Sequence, residues 1–406
     1  MHVIFVEPAF PRTQREHVRA LAAVGARVTG IGERSPEVLD PELASWLSGY
    51  VQVKSVVDEA ALEKAVRSIQ ARGWVDRLET TVEAHVLPVA RVRAATGIQG
   101  TSERTAFLCR DKAAMKHALR EAGVPTAQSR GVSDLASARE FVNSIGYPVI
   151  VKPLAAAGAA GAVRVDDAAG LERALAEHGV DRGTAVAIEE FIEGHEGFWD
   201  TVTVGGQVLH EFACHYYPNV LEAMRTRWIS PQIVCTNRVD GSGYTELRAM
   251  GRRVLAALGI ETSATHMEWF FGPKGLKFSE IGCRPPGVGV WDVYSAANDS
   301  DLYVEWARAI VHGGSPAKMS RRFSAGMIAL RPDRDGRIVG YDGWNQIRAR
   351  YASWIVREHF PPIGSATQPV ENGYHANAWV VLRHPDYDVL REALDDVGRT
   401  VKVRAQ

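Results

Sequence analysis

THMEWFFGPKGLKFSEIGCRPPG, residues 265–287, is the stretch on which the reading of this chain turns. Two apolar, strand-forming runs flank the turn GPKG, which predicts an antiparallel hairpin with Glu268 and Glu280 opposite one another. Side-chain alternation then places His266 and Phe270 on the face of Glu268, and Phe278 and Gly282 on that of Glu280. Two like charges facing each other among apolar neighbours weaken a hairpin unless a cation lies between them. Magnesium suits such a place, because it takes one or two carboxylates together with nucleotide phosphates. Arg284 follows the second strand, where a fixed guanidinium can clamp a phosphoryl group or a tetrahedral oxyanion. The plain structural alternative is a salt-bridged hairpin.

Two upstream segments carry matching chemistry. YPVIVKP (147–153) reads as a buried strand ending in Lys152, and a lysine there is costly unless its ammonium meets an anion. The small-residue loop that follows, Ala155–Ala162 with Gly158 and Gly161, offers closely approachable N–H groups suited to covering phosphates as a lid. Equally, Lys152 could snorkel at a strand end beside a featureless loop. In IEEFIEGHE (188–196) a strand presents Glu189, Glu190 and Ile192, with Glu196 beyond. Backbone at such an edge can pair with an adenine ring, and the carboxylates suit its exocyclic amine and the ribose hydroxyls. A solvated acidic hairpin is the competing reading.

Around these pieces the pattern is α/β. HVIFV (2–6) predicts a buried strand, followed by a helix over 12–24, a strand at 26–31 and a helix near 59–72, the alternation of a doubly wound unit. Its first strand-to-helix turn, EPAFPRT, has no glycine, which excludes a dinucleotide fingerprint. A helix over 103–122 carries Lys112 and stops at Gly123 and Pro125. Residues 198–235 alternate as strands around a Gly-Gly turn, and a linker at 313–322 precedes a small α/β unit with a closing helix at 386–398.

Bulk properties narrow the classes. The 406 residues are 46% hydrophobic and 23% charged with a net charge of -1, an ordinary globular composition with no global pull toward nucleic acid or anionic membrane. Four scattered cysteines without a CxxC pair argue against structural zinc or a disulfide framework, and no apolar run is long enough to span a bilayer. The N-terminus lacks a secretory core, so a reducing cytoplasm is expected. P-loop, HExxH and GxSxG motifs are all missing.

RDKAAMKHALREAGVP (110–125), YPVIVKP with its small-residue loop, IEEFIEGHE and HMEWFF…FSEIGCRPPG, in that order, resemble the ATP-grasp superfamily over roughly residues 1–315. The C-terminal unit and the E-I-G-x-R ending look most like the L-amino acid ligase branch of the carboxylate–amine ligases. The resemblance implies a preATP-grasp domain (1–102), a lid subdomain with its leading helix (103–192), an ATP-grasp core with the metal site (193–318) and a C-terminal subdomain (319–406). It implies ATP with Mg2+ (or Mn2+), an acyl-phosphate intermediate, ADP and phosphate as products, and small carboxylate and amine substrates, and it allows a homodimer. Lys112 and Lys152 would contact phosphates, Gly158 and Gly161 would belong to the lid, and Glu189 would take the adenine amine. Glu190 and Ile192 would offer backbone pairs, Glu196 would bind ribose, Glu268 and Glu280 would hold metal, and Arg284, with Lys152, would serve catalysis. Many ATP-grasp enzymes have asparagine two residues after the second metal carboxylate, where this chain has Gly282. Arg225, Arg227 and His266 are the candidates for holding substrate, the two arginines being equally readable as surface residues. A bicarbonate-using carboxylase and a non-catalytic nucleotide-binding regulator are the rival readings.

Overall fold

A computed structural model describes residues 1–154, 161–375 and 377–406; Gly158 and most of the small-residue loop lie outside them. The N-terminal strand His2–Val6 is buried along its whole length, as a strand covered on both faces must be. It is central in a four-stranded parallel sheet ordered Gly49–Gln52, Arg27–Gly32, His2–Val6, Arg77–Glu79. The chain steps outward twice and then reverses to the other side of the first strand. The carboxyl ends of His2–Val6 and Arg77–Glu79 therefore flank a topological switch point, and the residues leaving it include Glu83.

Helix Gln14–Ala23 of this unit packs against Leu302–His312 of the core. His17 sits at that junction with ring centroids 5.1 Å from Tyr303 and Trp306, 5.2 Å from Trp291 and 6.0 Å from Phe5. Burial pushes its pKa down from 6.5 to about 3. The unfolded chain then binds a proton that the folded chain refuses, so this contribution is intact above about pH 6.5 and is lost as pH falls toward 3. His17→Phe, which keeps a planar ring in the cage, should remove it. Between pH 6.5 and 5 the fall in unfolding free energy should shrink by about 2 kcal/mol relative to the natural chain. Denaturant titrations at both pH values measure this, and an unchanged pH slope would refute it.

The predicted helix over 103–122 is two helices, Glu103–Leu108 and Lys112–Glu121. Asp111 breaks it by adopting an extended backbone and capping the second helix, its Oδ1 accepting from the Ala114 N–H at 2.8 Å. Next comes a four-stranded antiparallel sheet ordered Ser129–Val132, Val186–Glu190, Val149–Pro153, Val163–Val165. Alternation sends Val149, Val151, Val186 and Ile188 into a core under helices Leu135–Ile145 and Ala168–Glu177. Lys152 and Glu189 are left on the opposite face.

The central sheet has eight strands, in the order Gly275–Gly282, Ser263–Gly272, His195–Val204, Gln207–Tyr217, Gln232–Thr236, Ser324–Leu330, Ala378–His384, Ile355–His359. This corrects the expectation of a separate C-terminal unit. Gln232–Thr236 is buried throughout and pairs with Ser324–Leu330, so the sheet runs across residue 318 without a break. Among the described residues Ile338–Asp342 and Lys402–Ala405 form a small sheet of their own. The four cysteines are buried and free, and no helix among the described residues is long and apolar enough to cross a membrane.

Candidate active site

Glu268 and Glu280 are register partners in the hairpin, as the sequence predicts. A bulge beside them shifts the pairing so that Trp269 opposes Phe278. Phe278 and Ile281, three positions apart, therefore both enter the core with Met267 and Trp269, while the Glu280 carboxylate lines the cleft. The expected shared face of Glu280 and Phe278 is undone by that extra residue.

The cleft, about 480 Å³, lies between the hairpin and the exposed face of the four-stranded sheet. Lys112 and Lys116 enter it from one helix, one turn apart and hence on one face. Lys112 pairs with Glu280 Oε2. Glu189, 5% exposed, lies between Lys116 Nζ at 2.7 Å and Lys152 Nζ at 2.6 Å. The Lys116 contact is an ion pair rather than an aligned hydrogen bond. Burial pushes Lys116 down to about 8, the nearby Glu189 notwithstanding. For Lys152, burial is outweighed by Glu189 and Glu280, and its pKa rises. Burial alone would raise Glu189 and Glu280, but the lysines hold both below the ordinary carboxylate range.

Glu196 closes the far side. Its Oε2 accepts from the Val220 N–H at 2.6 Å, while burial first and Glu268 second push its pKa up to about 8. The Glu190 N–H is spent on the Gln128 carbonyl and its carboxylate on Lys274, while the Ile192 amide, just past the strand end, has no partner among the described residues. Arg225 lines the cleft and donates to the Ala162 carbonyl. Gly161 ends the loop in a left-handed conformation, φ 69°.

Next to Glu280 a narrow cavity of about 30 Å³ is lined by Glu83, Arg110, Lys112, His266 and Arg284. Asp200, 1% exposed, accepts from Tyr294 Oη at 2.5 Å and lies 2.8 Å from His266 Nδ1. Burial would lower the His266 pKa, but Asp200 reverses it and carries it up to about 9. His266 Nε2 is 3.7 Å from Glu268 Oε1.

One expected site residue is misplaced. Arg227 turns from the cleft and donates to both oxygens of Asp335 at 2.8 Å, because the loop carries it toward the C-terminal turn. Lys116, Glu83, Asp200 and Arg110 belong to the site although the sequence reading passed over them. The four-residue spacing from Lys112 could have revealed Lys116; nothing local marks the others.

This arrangement sets Lys112, Lys116 and Lys152 against Glu189, Glu268 and Glu280 in a cleft with an adjoining arginine pocket, and the family comparison agrees with it. A model described as ATP-grasp domain matches residues 117–300. The chain carries an ATP-grasp domain. It is 25% identical over 257 residues to an L-arginine-specific L-amino acid ligase of Bacillus subtilis, covering 62% of this chain and 61% of that one. It is 24% identical over 233 residues to the alanine–anticapsin ligase of Bacillus subtilis strain 168, covering 52% and 48%. The chain thus matches about half to three-fifths of the length of these relatives. An L-amino acid ligase structure from Bacillus licheniformis shares the whole fold, with TM-score 0.78, 18% identity, and coverage of 100% of this chain and 98% of that one.

ATP-grasp enzymes use ATP with magnesium. The donors here fit that ion as a partner of phosphate rather than as a caged metal. Two opposed carboxylates are present, and no group of three or more His, Cys, Asp or Glu among the described residues is placed to hold a metal unaided.

Proposed function

We propose that this chain is an ATP-dependent carboxylate–amine ligase that forms an amide or peptide bond and releases ADP and phosphate. The observation that carries the reading is the juxtaposition of Lys112, Lys116 and Lys152 with Glu268 and Glu280, and of both with the cavity holding Arg284. The Glu190 carbonyl and Ile192 amide present a backbone edge to an adenine, and the buried Glu196 suits a ribose hydroxyl. Glu189 is a further candidate for the adenine amine, and the three lysines would meet phosphate oxygens. Glu268 and Glu280 would hold magnesium, whose charge, when bound, offsets that of the phosphates. A substrate carboxylate oxygen would attack the γ-phosphorus as the bond to ADP breaks. The resulting acyl phosphate would lose phosphate when an amine attacks its carbonyl carbon, and Arg284 would meet the charge developing at each step. His266, poised by Asp200 beside Glu268, and Arg225 are the candidates for contacting the acid or amine.

A panel of amino acids and small carboxylic acids, with ATP and magnesium, tests this. For an accepted acid, ADP and phosphate should appear, never AMP and pyrophosphate, and hydroxylamine in place of the amine should give a hydroxamate. AMP release would mean adenylation and overturn the mechanism. ADP release without hydroxamate would favour a bicarbonate-using enzyme, and no turnover with ATP bound would favour a regulatory protein.

A further inference from the structure

Glu83 belongs to the N-terminal unit, 201 positions before Arg284, yet its carboxylate reaches the core hairpin. Oε2 accepts from Arg284 Nε at 2.7 Å and Oε1 from Arg110 Nη1 at 2.8 Å. Arg284 Nη1 is occupied by the Pro285 carbonyl at 2.8 Å. Among the described residues only its Nη2 group is left without a partner, and the side chain lines the cavity next to Glu280. A guanidinium held at two of its three nitrogens loses little freedom when the third meets an anion.

Gly282 supplies an independent observation. Its backbone is not left-handed, so conformation does not demand glycine there. Space favours it: a Cβ at 282 would lie 3.0 Å from Glu83 Oε2 and 3.4 Å from Arg284 Nε, so the Glu83 carboxylate would have to give by a few tenths of an ångström. Any larger residue at this position, asparagine included, carries that Cβ against the Glu83 carboxylate.

We propose that Glu83 is a positioning residue that fixes Arg284 for the reaction, and that Gly282 is glycine because Glu83 must pass over it. The N-terminal unit thereby supplies a group to a site otherwise built by the Lys112–Glu121 helix, the four-stranded sheet and the core hairpin, and the missing asparagine and the remote glutamate become one feature. The inference rests on the ligase reading for its kinetic effect, but the Glu83–Gly282 coupling can be measured without turnover.

In the full chain, Glu83→Ala should lower kcat with an accepted acid by on the order of tenfold or more while leaving the KM for ATP nearly unchanged, because orientation rather than nucleotide binding is lost. Glu83→Gln should fall between, since an amide oxygen still accepts from one arginine. Gly282→Asn should lower both kcat and the unfolding midpoint in the natural background, and should add no further loss in the Glu83→Ala background. Equal losses from Gly282→Asn in both backgrounds would overturn the proposed coupling. A Glu83→Ala variant with natural kcat would overturn the positioning role. If the natural chain accepts no acid, the ligase reading fails, and the unfolding midpoints of the same four proteins still decide the coupling.

Discussion

Glu280→Gln should lower turnover by at least about 100-fold with saturating ATP and magnesium, the scale of losing one preorganised electrostatic group. Glutamine keeps the shape of the side chain and its place opposite Glu268, so the hairpin and its bulge should survive. What disappears is a charge acting on two sides. Toward the cleft, Glu280 is one of two carboxylates available to magnesium. Toward the helix, it pairs with Lys112, whose ammonium would then stand beside a neutral amide. With phosphates in the cleft Lys112 gains another partner, so the defect should fall on the chemical step more than on nucleotide binding. Glu268→Gln should act in the same direction. Unfolding midpoints near the natural value would show that the loss is functional. If both variants turn over at close to the natural rate, the hairpin is structural and the metal lies elsewhere.

The legible and illegible parts of this site divide along physical lines. Local periodicity fixed the hairpin register, because strand alternation needs no information beyond a few residues, whereas the pairing that brings Lys152 and Glu189 onto one sheet face came only with the structure. The bulge beside Glu280 was not legible, since one inserted residue leaves no mark on composition. Lys116 was legible in principle, since four-residue spacing puts it on the helix face of Lys112; the helix break at Asp111, which caps the helix carrying both, was not read. Glu83 and Asp200 were beyond local reading altogether. Their partners lie 201 and 66 positions away, and only the packing of the N-terminal unit on the core, or of one core strand on another, brings them into contact. Sheet order is nonlocal in the same sense: an α/β unit was readable beyond residue 318, but neither its strands Ile338–Asp342 and Lys402–Ala405 nor its continuation of the core sheet was.

Glu189→Gln should destabilise the nucleotide-free protein by about 3 kcal/mol, because removing one partner of a buried ion pair strands the other. Lys116 is 1% exposed and Lys152 is largely buried, and Glu189 is the only acid in ion-pair contact with either among the described residues. Losing the carboxylate leaves two ammonium groups close together in a poorly hydrated place. Lys116, already lowered to about 8 in the intact site, is the one expected to shed its proton. The folded variant would then hold fewer protons than the unfolded chain, so its stability should rise with pH, and part of the loss should return in mildly alkaline buffer. Pairing the change with Lys116→Met should cost less than the sum of the two single substitutions, because the double variant no longer buries the stranded charge. Denaturant unfolding of the four proteins, repeated at higher pH, measures all of this. A Glu189→Gln variant within about 0.5 kcal/mol of the natural stability would show that the lysines find water or other partners on their own. The lysine–glutamate cluster would then play no part in holding the empty cleft in shape.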